Sequence, residues 1–212
     1  PRPLPLHQPG SIELLAYLVT RPNRPVEQVR AALDPDSDLP EFRRRFHAMR
    51  ADLERAAPGL RIAHETSSRT YRVDLDGPEL DWDAHRLFAL LRPGPTRDPA
   101  AALDAYHGPF LPDATSEWSR AARVTLDSQV LAAGLEAAGE RYSSGQHEGA
   151  LQLAERLLEH WPLDERAARL YLRATARARG TAAAAQAAAR LRAGGLDSAV
   201  VDALERELLQ PN

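Results

Sequence analysis

The sequence predicts a mainly α protein in two parts: three helices closed by a β-hairpin, followed by a longer all-helical body. Three observations carry this reading. Apolar residues recur at helical spacing, as at Phe42, Phe46, Met49 and Leu53. Two short alternating runs, LRIAHE at 60–65 and RTYRVDL at 69–75, are linked by TSSR and read as the strands of a hairpin. Beyond residue 76, Ala, Leu, Arg and Glu dominate and the periodicity is helical throughout.

In chain order, PRPLPLHQPG at 1–10 carries four prolines and reads as an extended arm, with Pro3–Leu6 as its one candidate edge strand. Ser11 is the expected N-cap of a first helix, Ile12–Thr20, whose apolar face is Leu14, Leu15, Leu18 and Val19. RPNRP at 21–25 reads as a turn. Pro25 suits the first turn of a second helix, Val26–Leu33, with Val26, Val29 and Leu33 inward. DPDSDLP at 34–40 breaks the chain, and its acids favour the N-terminus of the third helix at 41–57. Pro58-Gly59 ends that helix. In the hairpin, Ile62, Tyr71 and Val73 are the expected buried residues.

The third helix, EFRRRFHAMRADLERAA, combines an apolar stripe with consecutive arginines. Successive side chains step by roughly 100°. With Phe42, Phe46, Met49 and Leu53 facing the core, Arg44 and His47 point outward. Arg43 and Arg50 share one flank, and Arg45 lies on the other. Residues 41–72 carry eight Arg against four acids, whereas 77–212 carry 15 Arg against 19 acids. A basic patch on one part and an acidic second part suit an anion-binding head and a protein-binding body. All 27 basic residues are Arg, the side chain that bonds phosphate and guanine edges in bidentate fashion.

Helices are expected in the second part at 80–91, from Asp98-Pro99 to Tyr106, from a Thr115 cap through Trp118 to about Tyr142, and at 147–160, 164–179, 182–193 and 197–209. HGPFLPD at 107–113 is a structured loop, and Trp82, Phe110 and Trp118 read as core aromatics. Gly145, Ala150 and Pro162 recur as Gly180, Ala184 and Leu196, a period near 34 residues that matches the tetratricopeptide helix pair.

Other functions find little support. The chain has no Cys, so it has no disulfide, thiolate metal site or Cys nucleophile. Its seven His form no H-x-x-x-H pair, so no metal is expected. Asp113, Ser116 and His107 lie near one another in sequence, but on a Pro-bounded loop without the glycines of a nucleophile elbow. No Gly-rich loop follows a strand to cradle a phosphate. Neither an enzymatic activity nor a cofactor is expected. No apolar run approaches the roughly 18 residues of a membrane span, and the absence of Cys is compatible with the cytoplasm.

Residues 11–75 resemble the OmpR-type winged helix-turn-helix. The resemblance rests on Phe46-His47-Ala48-Met49-Arg50-Ala51-Asp52-Leu53 and on Thr70-Tyr71-Arg72-Val73 at the end of the hairpin. Thr70 replaces the usual Gly, and Asp34 stands where an aromatic is common. The family's N-terminal sheet is mostly missing, which suggests a segment upstream of Pro1. DWDAHRLF (81–88), YHGPFLPD (106–113), SEWSRAAR (116–123) and the run WPLDERAARLYLRA from Trp161 resemble the bacterial transcriptional activator domain. In antibiotic-regulatory-type activators this domain directly follows such a winged helix.

The resemblance implies a winged helix-turn-helix at 1–76 and a tetratricopeptide-like helical domain at 77–212. It implies a transcription regulator whose partners are double-stranded DNA and, through the helical domain, RNA polymerase, another protein or a second copy. A recognition helix at 41–57 brings Arg43, Arg44 and His47 to bases and nearby phosphates. Arg50 positions the helix, and Arg69 at the hairpin tip enters the adjacent minor groove. The alternative is a protein-interaction or signalling module whose winged helix no longer binds DNA, in which Arg45 and Arg50 pair with Asp52, Glu54 or the acids at 34–38. The missing N-terminal sheet, the net charge of −3 and the departures at Thr70 and Asp34 motivate it.

Overall fold

The computed structural model of the chain describes residues 5–75 and 83–209. The elements are α1 (Ser11–Thr20), β1 (Arg24–Pro25), α2 (Val26–Leu33), α3 (Leu39–Ala56), β2 (Leu60–Glu65), β3 (Thr70–Leu75), α4 (Asp83–Leu91), α5 (Pro99–Ala105), α6 (Glu117–Ser143), α7 (His147–His160), α8 (Glu165–Arg179), α9 (Thr181–Ala193) and α10 (Ser198–Leu209). Among the described residues the chain is mainly helical, with one small sheet. Trp82 and the start of the helix expected from residue 80 lie outside the described residues, as do Pro3 and Leu4 of the candidate N-terminal strand. Pro5 and Leu6 are not in a strand. Contacts divide the chain into two units, 1–82 with 109–125 and 83–108 with 126–212.

In the first unit α3 lies at the centre. Phe42, Phe46, Met49 and Leu53 are all buried, as their spacing requires, and α3 packs against α1, α2 and β2. Fully burying one such side chain is worth about 1.5–3 kcal/mol, so this face holds α3 in place. Asp38 caps α3 by accepting the Glu41 N–H at 2.7 Å, and Pro40 occupies the first turn. The helix therefore starts at Leu39, ahead of the expected residue 41. An Asp38→Ala variant is expected to lose about 1 kcal/mol of stability in chemical denaturation, the usual worth of such a cap.

Three strands form an antiparallel sheet in the order β1-β3-β2. The segment expected as a plain turn at 21–25 contributes the two-residue strand β1, pairing Arg24 with Tyr71 and Pro25 with Thr70. Ile62 is fully buried opposite Val73. The Tyr71 ring lies 4.6 Å from that of Phe46, which joins the hairpin to α3.

Ser11 does not cap α1. The N-cap position is Gly10, whose φ of 83° is a left-handed conformation, and a Cβ there would stand 3.2 Å from the Met49 sulfur. Ser11 is instead the first helical residue, and its hydroxyl donates to Asp52 at 3.0 Å. The buried Asp52 carboxylate also accepts the backbone N–H groups of His7 (2.9 Å) and Gln8 (3.0 Å). The Gln8 N–H does most to lower its pKa; burial opposes this, and the His7 N–H and the Ser11 hydroxyl assist. A lowered carboxyl pKa contributes stability above the ordinary value of 3.8, and that contribution is lost as pH falls through the folded value. Asp52→Asn is therefore expected to flatten the acid limb of a stability–pH profile below about pH 4. An unchanged acid limb contradicts this role.

Residues 109–125 complete the first unit. Trp118 sets its ring edge-on to Tyr17 of α1 at 5.1 Å and to Phe110 at 6.3 Å. Arg123 gathers the loop by donating to the carbonyls of Phe110 (2.8 Å), Leu111 and Ala114 (3.1 Å). Ser116, not Thr115, caps α6: it accepts the Ser119 N–H at 3.1 Å and donates to the Glu13 carboxylate.

The second unit is all helical. A core cluster from α7, α8, α9 and α10 includes Leu151, Leu172 and Val201, each fully buried. Small residues at Ala150, Ala168, Ala187 and Ala188 leave no exposed surface, which fits close helix packing. Gly134 in α6 has the same use, since a Cβ there would stand 2.7 Å from a Leu157 methyl. Among the described residues no helix is long and apolar enough to cross a membrane.

Candidate nucleic-acid interface

The exposed face of α3 is set by its buried one. Arg43, Arg44, Arg45 and His47 are all exposed, as the angular step from Phe42 and Phe46 requires. Arg44 pairs with no carboxylate among the described residues. His47 lies edge-on to the Phe46 ring at 5.7 Å, which orients the imidazole at the surface.

The neighbouring arginines are engaged. Arg43 donates to Glu27 of α2 at 2.7 Å, with both side chains about half exposed at 52%. Arg45 pairs with Asp34 in the α2–α3 turn. Arg50 donates to Glu54 at 3.0 Å, and Glu54 also accepts the Ile62 N–H at 3.0 Å. Arg50 thus braces α3 against β2 through Glu54, and it is only partly exposed. Exposed pairs of the Arg43–Glu27 kind are worth about 0–1 kcal/mol, so a stronger anion can displace the acid.

Arg69 sits in the β2–β3 turn with a φ of 54° and is exposed. Because Pro25 pairs with Thr70 and also occupies the N-cap position of α2, the hairpin turn is held beside the start of α2. The Glu27 carboxyl lies below its ordinary value. Its backbone hydrogen bond is the largest cause, and Arg43 and then Arg69 add to it. Arg43 and Glu27 therefore form a bonded pair across α3 and α2, on which Arg69 of the β2–β3 turn acts only weakly. Glu27 was not legible as part of this surface: it lies 16 residues from Arg43, and the two-residue strand that holds the hairpin turn beside α2 has no alternating pattern.

The polar contacts of the second unit are structural. Tyr106 donates to Asp127 at 2.7 Å. Burial raises the phenol's pKa, and the bond to Asp127 raises it further. The same ring stacks on Trp161 at 5.2 Å. Asp164 caps α8 by accepting the N–H groups of Arg166 and Ala167, both at 3.0 Å. These residues fix the ends and loops of the bundle. The family model described as the bacterial transcriptional activator domain matches residues 92–200, just over half of the chain. The chain belongs to the bacterial transcriptional activator domain family. No curated protein matches it.

The activator-domain match runs from the end of α4 into α10 and takes in the loop at 107–113, Trp118 and the Trp161 turn. It also takes in residues 109–125, which make their contacts with the N-terminal unit. Membership of a transcriptional activator domain family gives the chain a regulatory role in transcription in general terms. The arginine helix lies outside the matched stretch.

Proposed function

We propose that the chain is a DNA-binding transcription regulator, with residues 1–76 as an OmpR-type winged helix-turn-helix and 77–212 as a tetratricopeptide-like activator domain. In this reading α3 enters the major groove of promoter DNA. Arg43, Arg44 and His47 meet bases and phosphates, Arg50 holds the helix in position, and Arg69 approaches the adjacent minor groove. The helical domain contacts RNA polymerase, another protein or a second copy. The protein has no catalytic role and acts at the bacterial nucleoid.

One observation carries the reading. An amphipathic helix buries four large apolar residues and offers Arg43, Arg44 and His47, next to a hairpin turn bearing Arg69, in a member of a transcriptional activator domain family. Fluorescence titration of the full chain with genomic fragments tests it. Binding that weakens steeply with salt is expected, because each phosphate neutralised releases a counterion. Absence of salt-sensitive binding overturns the reading.

The pairing of Arg43, Arg45 and Arg50 with carboxylates favours a second reading, a protein-interaction module that does not bind DNA. A stable protein partner in a pull-down, with no DNA affinity, is its expected result.

A further inference from the structure

We infer that the exposed face of α8 is a docking surface for an acidic amphipathic helix of a partner protein. The inference deepens the reading of the helical domain as a protein-binding body, and it does not depend on α3 binding DNA.

Residues 166–196 carry seven Arg and no acid, while the other eight Arg of 77–212 stand against all 19 of its acids. A basic stretch therefore interrupts an otherwise acidic helical part. Its arginines are not spread evenly. Arg166, Arg169, Arg173 and Arg177 recur at spacings of 3, 4 and 4 on α8. That places them within roughly 80° of one another and along about 16 Å of the helix. The opposite face of α8, which includes Ala168, Tyr171 and Thr175, is the buried one.

The C-terminal half of this row is open. Arg177 is exposed and pairs with no carboxylate among the described residues. Arg173 lies over the Tyr142 ring, 5.4 Å from its centroid. Leu170 stands among the arginines, and both it and Tyr142 are only partly buried. Arg166 and Arg169 meet Asp164 (2.8 Å) and Glu207 (3.2 Å) in surface pairs, which are worth about 0–1 kcal/mol and exchange readily. Arg and Tyr are the residue types enriched where protein interfaces hold most tightly.

A second helix laid along α8 repeats its side chains at the same three- and four-residue spacing, so carboxylates on one of its faces meet the row in register. Each arginine can hold a carboxylate through two parallel N–H groups, which fixes geometry as well as charge. A long polyanion fits less well, because the acids around the row repel its remaining charge.

The test measures binding of the full chain to two fluorescent helical peptides of about 18 residues by anisotropy. One carries Glu at i, i+4, i+7 and i+11 with Leu beside them; the other has the same composition with its Glu spread round the helix. The patterned peptide is expected to bind at least about 10-fold more tightly. Arg177→Glu is expected to weaken that binding by at least about 10-fold, since like charges then face each other, and Arg177→Gln by about 3-fold should the reversal disturb the melting curve. Arg190→Glu is the control: it makes the same charge change at an exposed arginine of α9 that pairs with no carboxylate among the described residues, and it is expected to cost less than about 2-fold. Equal binding of the two peptides, equal losses from Arg177→Glu and Arg190→Glu, or no binding of the patterned peptide at about 1 mM overturns the inference. So does a loss of duplex-DNA binding in Arg177→Glu as large as its loss of peptide binding, which assigns the row to nucleic acid. Self-association of the wild type that Arg177→Glu abolishes assigns the row to a second copy and overturns it too. Patterned-peptide binding that Arg177→Glu leaves intact overturns this surface while leaving the helical domain a protein-binding body.

Discussion

Replacing Trp118 by Ala is expected to destabilise the protein by about 3–5 kcal/mol, the usual range for a buried Trp or Phe cut back to Ala. The ring is 8% exposed and meets Tyr17 and Phe110 edge-on. It comes from a segment 101 residues further along the chain than Tyr17, so its loss removes a long-range contact as well as apolar area. For a chain of this size the loss corresponds to a fall in Tm of roughly 10 °C. Trp118→Phe keeps an aromatic edge for Tyr17 and is expected to lose less than half as much. Thermal and chemical denaturation of both variants decide the point. A Trp118→Ala variant within about 0.5 kcal/mol of wild type, as for an ordinary surface change, contradicts the packing role.

The second large effect concerns the surface of α3. An Arg43/Arg44/His47→Ala triple variant is expected to lose at least about 100-fold in DNA affinity, since each good base contact alone is worth about 1–3 kcal/mol. Its stability is expected to stay close to wild type. All three side chains are exposed, and the one ion pair lost, Arg43–Glu27, is of the weak surface kind. Loss of binding with the melting curve preserved separates contact from collapse. Undiminished binding removes α3 from the interface.

The elements were legible where a local pattern specified them. The stripe from Phe42 to Leu53 fixed α3 and the face it buries, and the alternation in LRIAHE and RTYRVDL fixed β2 and β3. The Arg45–Asp34 and Arg50–Glu54 pairs were legible as well, because each spans a turn or one helical repeat. What was not legible depends on partners remote in sequence. Ser11 was expected to cap α1, but a buried carboxylate 41 residues away claims its hydroxyl, and Gly10 takes the N-cap position. The two residues of β1 have no periodicity of their own and become a strand only because Thr70 and Tyr71 lie opposite. The helical body was readable as a bundle from its composition. That residues 109–125 make their contacts with α1 follows from Trp118 meeting Tyr17, which no spacing in either segment announces.

The partly paired state of the arginines bears directly on function. Arg43 and Arg50 have acids within hydrogen-bond distance, while Arg44 stands free among the described residues and Arg69 is exposed at a turn. In the proposed reading such a surface binds a polyanion by exchange of partners, and its affinity is then expected to fall with salt. The central claim is that α3 reads DNA, and selection of bound duplexes from a random pool by the full-length protein at two salt concentrations tests it most directly. The account predicts enrichment of a shared sequence, kept at the higher salt while bulk retention falls. Recovery of no common sequence, or retention that does not respond to salt, would contradict it.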